Sequence, residues 1–266
     1  MENIVNLCAC WDEDELFAHR EEIVALSNAC TRRHDHCCRF LNAAASLMGD
    51  TCRIAMDCVN TTKLSGYCSR LADRELKPSK HPGGREYIRL ISAVTNTGVV
   101  CFADSAKALC DRIYLINDDY GVVSRLLLHS MRSKALASGY DVITSYCPLG
   151  PFDKIEHLII PALRIGFMTS NRMHDFNLLV DPYRIINCKR FLDNDKLKLS
   201  KRRIAFNRRA ETQMISQAEL LLKEIKAIHD ELENYYIGAT DFSKVDSLTE
   251  ELLAKFRAIE AEAAKK

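Results

Sequence analysis

Carboxylates, imidazoles and an amide fall close behind two apolar runs of this sequence. Asp153, Glu156 and His157 follow the run Val142 to Cys147, and Asn171 and His174 follow Ile165 to Met168. If both runs are strands of an open α/β sheet, their carboxyl ends form the edge where ligands gather. The five residues then make one strand-edge ligand site. A carboxylate beside an imidazole can pass a proton near neutral pH. No recognised catalytic spacing joins these five, so packing is the first reading: Asp153 caps a short turn and His157 sits beneath it.

Two other groups carry chemistry by type. Cys30, His34 and Cys37 stand at i, i+4 and i+7, with His36 and Cys38 beside them, so three soft ligands share a helical face. A zinc site draws a fourth ligand from a second segment. Cys30 and Cys37 also belong to an apolar stripe, where cysteine acts as a small hydrophobe. No metal is expected there, nor at Cys8 and Cys10. Lys196, Lys198, Lys201, Arg202, Arg203, Arg208 and Arg209 form the strong basic run. Such a run can hold nucleic acid. Phe206 is its lone aromatic, however, and Leu197, Ile204 and Ala205 give it the period of a helix with a solvated face. The first reading is structural, with acidic residues of the C-terminal helices neutralising the charge.

The elements that must position these residues change character twice. From Asp12 to about Leu76 one apolar stripe recurs at helical spacing through Leu16, Ile23, Leu26, Cys30, Cys37 and Leu41, and Asp12 is placed to cap its start. Lys77 to Gly84 holds two prolines and two glycines and ends the helix. Short β-branched runs follow at Tyr87 to Thr95, Gly98 to Phe102, Ile113 to Ile116, Val142 to Cys147 and Ile165 to Met168. A helix is predicted from Val122 to about Ser138, stopped by Gly139, and Asn96-Thr97-Gly98 is a good hairpin turn. Strand, helix, strand predicts a parallel α/β sheet. Met214, Ala218, Leu221, Ile225, Ile228 and Leu232, then Leu248, Leu252, Phe256 and Ile259, mark a closing helical hairpin. The segments are 1–80 helical, 81–190 α/β and 191–266 helical.

The two helical segments are related. Val5-Asn6, Asp12, Asp14, Leu16 and Ile23 match Ile186-Asn187, Asp193, Asp195, Leu197 and Ile204 at a constant offset of 181 positions. The chain therefore reads as the helical tail of one repeat followed by a whole second repeat. The two tails are expected to share a shape, and the first, without a core of its own, to expose apolar surface for a protein partner or a second copy.

Composition bounds the class. Of 266 residues 47% are hydrophobic and 27% charged, enough for one or two cores. A net charge of +1 gives no global field for polyanions. No leader pattern and no apolar run of about 20 residues is present. With 12 cysteines read as reduced thiols, the expected location is cytoplasmic, with no membrane association.

Several stretches together carry a resemblance. They are Asn6-Leu7 with Trp11-Asp12, Arg112 to Ile116, Gly139 to Val142, and above all Cys147-Pro148-Leu149-Gly150-Pro151-Phe152-Asp153-Lys154-Ile155-Glu156-His157-Leu158-Ile159-Ile160-Pro161, continuing to Thr169-Ser170-Asn171. Over nearly its whole length the chain resembles an uncharacterised family of bacterial tandem P-loop ATPase-like proteins. The resemblance implies a P-loop NTPase-like parallel sheet, flanked here by helical segments at both ends. It also sets the register of the phosphate loop, where Asp118-Asp119-Tyr120-Gly121-Val122-Val123-Ser124-Arg125 stands against G-x-x-x-x-G-K-[ST].

Only Gly121 fits that loop. Asp118 and Val123 replace the two motif glycines, Ser124 the lysine and Arg125 the metal-binding hydroxyl. Losing the lysine removes a charge-assisted contact of about 1.5–3 kcal/mol, and Asp118 and Asp119 put negative charge where phosphate would lie. Met168 leads to Thr169 and Ser170, with no carboxylate to hold magnesium. The loop is thus expected to be vestigial, with no cofactor, and the protein a non-catalytic assembly or regulatory module. Two alternatives stand beside this. One is an ATP- and magnesium-using protein whose active loop lies on other sequence or on a partner. The other is nucleic-acid binding through residues 196–209.

Overall fold

The computed structural model describes residues 4–79, 83–149 and 154–263. Its first helical segment opens with a 3-10 turn, Leu7–Cys10, then α1 (Glu13–Ala18), α2 (Arg20–Met56) and α3 (Thr61–Glu75). Side chains fix the starts: Asn6 accepts from the Cys8 N–H, Asp12 from Asp14 and Glu15, and Asn60 from Lys63. The hairpin β2 (Ser92–Thr95) and β3 (Gly98–Cys101) stands apart from the main sheet and turns at Gly98, whose φ of 104° only glycine adopts without strain. Preceding it is β1 (Glu86–Ile88) and following it α4 (Ala103–Leu109).

Next come β4 (Arg112–Asn117), α5 (Val123–Ala137), β5 (Val142–Tyr146), β6 (Ile155–Ile160), β7 (Ile165–Ser170) and β8 (Arg184–Asn187). The six-stranded sheet runs β1-β5-β6-β7-β4-β8. As expected, β4 is an interior strand with parallel neighbours on both sides, β7 and β8, and it feeds α5. The sheet as a whole is mixed, which corrects the expected all-parallel arrangement: β6 lies antiparallel to β5 and to β7. Connection length forces this. Between Ile160 and Ile165 stands only the 3-10 turn Pro161–Leu163 with Arg164 at φ 50°, whereas a parallel return needs a crossover of a dozen or more residues.

The sheet is covered on both faces. Tyr114, Ile116, Leu158 and Phe167 pack with α3 and α5 through Leu71, Leu127, Leu128 and Met131. Ile113, Leu115, Ile159 and Met168 pack on the other face with Ala106 of α4 and with Phe176. Each fully buried Leu, Ile or Phe is worth about 1.5–3 kcal/mol. The α5 crossover thus takes one face and the passage from β7 to β8 takes the other. Adjacent β4 and β7 send their chains to opposite faces, the arrangement that leaves a crevice at their carboxyl ends.

After β8 the 3-10 turn Cys188–Phe191 leads to α6 (Asn194–Leu199), α7 (Lys201–Gly238) and α8 (Phe242–Ala263). Shifted by 181 positions, the starts of the first turn, α1, α2 and α3 coincide with those of this turn, α6, α7 and α8. The caps coincide too, with Asn187 accepting from Lys189, and Asp193 from Asp195 and Lys196.

Two compact units result, Met1–Asp35 with Lys223–Lys266, and His36–Leu222. Within the first, Trp11 bridges Thr240, the Asp12 N–H donates to the Ala239 carbonyl at 2.7 Å, and that of Asp241 to Cys10 at 2.8 Å. Within the second, Val59 bridges Leu192, the Asp193 N–H donates to Cys58 at 2.8 Å, and that of Asn60 to Phe191 at 2.8 Å. These are the same contacts with the roles of the two copies exchanged. Also in the second unit, the buried Cys37 thiol meets the carbonyl of Ala218, its own counterpart. The first copy therefore has a partner inside the chain, which corrects the expectation that it is unpaired. Among the described residues no helix is long and apolar enough to cross a membrane, and the 12 cysteines form no disulfide.

Candidate functional site

The loop between β4 and α5 is held by its own carboxylate. Asp118 is 1% exposed. Its Oδ1 accepts the Tyr120 N–H at 3.1 Å and its Oδ2 the Ser124 N–H at 2.7 Å. The amino end of a helix favours an anion through its free N–H groups and dipole, and here the chain supplies that anion itself. Gly121 turns the loop at φ 70°, and a methyl added to it would stand 3.0 Å from the Lys154 Nζ. Ser124 is fully buried with no partner for its hydroxyl, and Arg125 is half-buried against the Cys52 thiol. The Asp119 carboxylate pairs with Lys189 at 3.3 Å. The cavity bounded by Asp118, Gly121, Lys154 and Arg208 is about 50 Å³, against roughly 300–1,000 Å³ for a small-molecule site.

Four of the five strand-edge residues do come together, on β6 and on the turn after β7, while Asp153 lies outside the described residues. Glu156 is fully buried. Its Oε2 meets the Lys154 Nζ at 2.7 Å, and its Oε1 meets the His174 Nε2 at 3.0 Å and accepts from the Asn171 amide at 3.1 Å. Burial pushes the Glu156 carboxyl up, but the Lys154 ammonium and the His174 bond outweigh it and hold it below the usual range. Burial likewise opposes the Lys154 charge, and Glu156 keeps the lysine protonated. His157 goes the other way: burial, then His174, pull it down to about 3. Its Nδ1 accepts the Thr169 N–H at 3.3 Å, so the ring is neutral with its proton assigned to a partnerless Nε2.

This arrangement is a closed electrostatic clamp. The carboxylate is ion-paired at one oxygen and bonded at the other by an imidazole and an amide. Its Oε2 meets Lys154 as a close charge contact without hydrogen-bond geometry, and a buried carboxylate so paired is a poor base. The Asn171 Oδ1 accepts from the N–H groups of Met173 and His174, shaping the turn that delivers His174. Sequence reasoning missed Lys154, although Lys154 and Glu156, at i and i+2 entering a strand, are set to share a face.

Beside the clamp, a polar crevice of about 330 Å³ opens where β4, β7 and β8 end, at Asn117, Ser170 and Asn187, with Asp175, Arg172 and Lys189 on its walls. This is the switch-point edge, and sequence reasoning placed none of the three strand-end residues in a ligand site. They are short polar residues that close an apolar run, which is a readable signal.

The remaining groups separate. Cys30, His34 and Cys37 do not gather; among the described residues the group with metal-ligating geometry is His229, Asp230 and Glu233, all exposed along α7. In the basic run Arg203 pairs with Asp50 at 2.6 Å, Lys198 with Asp195 at 2.7 Å, and the Lys196 ammonium donates to the Asp57 carbonyl at 2.7 Å. Arg208 donates to the Asp119 carbonyl at 3.0 Å and lies 4.8 Å over the Tyr120 ring. The expected neutralisation by acids of the C-terminal helical segment occurs in part among the described residues: Asp195 of α6 pairs with Lys198, while the partner of Arg203, Asp50, comes from α2. Compared with protein-family models, curated proteins and solved structures, the chain matches none.

Proposed function

We propose that this chain is a non-hydrolysing module of the P-loop ATPase-like kind, serving assembly or regulation. The observation that carries this is the Asp118 carboxylate, bonded to the Tyr120 and Ser124 N–H groups where a phosphate oxygen would sit. Three features support it. The loop cavity is too small for a nucleotide. The two lysines that reach the loop are committed elsewhere, Lys154 to Glu156 and Lys189 to Asp119. The strand beside β4 ends in Thr169 and Ser170, with no acid to hold magnesium there. The helical segments, duplicated and mutually packed, are the assembly part.

A thermal scan with MgATP tests the loop. A ligand present at 100 times its dissociation constant adds about 2.7 kcal/mol to the folded state, several degrees for a chain of this size. The expected response at millimolar MgATP in physiological salt is flat. An upward shift that disappears in Asp119→Arg or Gly121→Val, but persists in a remote surface variant, would instead make the loop a working nucleotide site.

A further inference from the structure

Beside the loop, one face of α7 and the turn after β7 enclose an open cleft of about 680 Å³. Arg172, Lys198, Lys201, Arg208 and Arg209 line it, together with the Tyr120 ring, and no Asp or Glu does. Among the described residues Arg172, Lys201 and Arg209 form no ion pair, and Lys201 and Arg209 are surface side chains. Unpaired cations converging on one concavity raise the local potential far above what a net charge of +1 suggests. Packing does not require them. At the 181-residue offset the first copy carries Arg20, Ser27 and Asn28 where the second has Lys201, Arg208 and Arg209, and α2 forms as a helix of similar length without those arginines.

We propose that this cleft binds single-stranded nucleic acid through its phosphate backbone, without sequence preference. Three features select that ligand. First, the cations are strung out: Lys201 to Arg209 is eight residues of helix, about 12 Å at 1.5 Å each. That suits successive phosphates, spaced about 3.4 Å along a stacked strand, better than one compact anion. Second, Tyr120 with Arg208 over its face presents a ring and a guanidinium plane beside the cations, the stacking surface that unpaired bases use. Bases stacked within a duplex offer no free face to such a surface. Third, the cleft has no carboxylate for a magnesium-bridged phosphate and no base-reading pocket, so recognition is by charge and stacking. The inference is independent of whether the β4–α5 loop holds nucleotide.

Fluorescence anisotropy with labelled twenty-nucleotide oligothymidylate and oligouridylate, read across a salt series, tests it on the full chain. Binding is expected to weaken linearly in log salt, with a slope near −0.7 per phosphate contacted. Lys201→Gln with Arg209→Gln should weaken binding at least tenfold and flatten the slope by about 1.4. Arg172→Gln, on a separate element, should weaken it several-fold. Lys226→Gln with Lys255→Gln, equal in charge but not among the residues that line the cleft, should leave it unchanged, and all variants should melt with the wild type. The proposal is overturned if no binding is seen at low salt, or if the control pair weakens binding as much as the cleft pair. Tighter binding of the matching duplex overturns it as well. So does displacement by tripolyphosphate or polyglutamate at equal charge, which would make the cleft a small-anion or acidic-protein site.

Discussion

A neutral imidazole beside an ion-paired carboxylate makes the clamp at β6 sensitive to acid in a separable way. His157 titrates near 6.5 when unfolded and at about 3 in the fold. Below pH 6.5 the unfolded chain therefore binds a proton that the folded chain refuses, and stability falls as pH falls toward that lower value. Glu156, held below its ordinary 4.5, contributes stability that is present above that value and lost beneath it. Between about pH 6.5 and 4.5 the His157 contribution acts first. His157→Asn keeps an oxygen to accept the Thr169 N–H and removes the titration. Its melting temperature, followed from pH 7 to 5, should fall less steeply than that of the wild type; equal slopes would mean that His157 is charged in the fold. The clamp was half legible from types and spacing. Glu156, His157, Asn171 and His174 group by type and by their places behind apolar runs. Lys154 does not, because a lysine reads as solvated until a buried carboxylate faces it.

At the scale of elements, the β4–α5 unit and the β2–β3 hairpin follow from local chemistry. Apolar runs end at Asp118 and at Thr95, and glycines sit where positive φ is needed. The β6 strand was not legible, for a physical reason: all six residues Ile155–Ile160 are buried, so no alternation marks it as a strand. Two glycines test how far local conformation decides stability. Gly121, at φ 70° against Lys154, should cost about 1–2 kcal/mol as Ala from left-handed backbone strain alone, and more if Lys154 is pushed from Glu156. Gly49 lies within α2 with nothing near an added methyl, and its Ala variant should gain about 0.5–1 kcal/mol. Urea denaturation of the two variants should move the midpoints in opposite directions. A tolerated Gly121→Ala would show that the loop relaxes freely and that Lys154 does not fix it.

For the whole molecule, the duplicated helical frame is the feature with most consequence. Five matches at one offset sufficed to pair the copies because two of them fall on cap residues, Asn6 with Asn187 and Asp12 with Asp193, and caps set where helices begin. What spacing could not show is that each copy's opening turn closes on the other copy's second connection, with Trp11 to Thr240 in one unit and Val59 to Leu192 in the other. Such reciprocity is what an isologous pair displays. It pairs the two copies, yet apolar side chains stay exposed on both, with Phe17 and Val24 exposed on the first. On α8, Leu248 and Leu252 are half-buried, whereas Leu253, Phe256 and Ile259 are 47%, 57% and 56% exposed. Apolar residues three apart on a helix form a strip, and a strip this exposed favours self-association. The assembly reading therefore expects sedimentation velocity at tens of micromolar to show a species heavier than one chain, and Phe256→Asp with Ile259→Asp to return it to monomer. Because both positions are solvent-exposed, the double variant should keep the wild-type circular dichroism and melting temperature. A chain that sediments as a monomer before any substitution would refute self-assembly through α8 and leave a different protein as the partner the arms would serve.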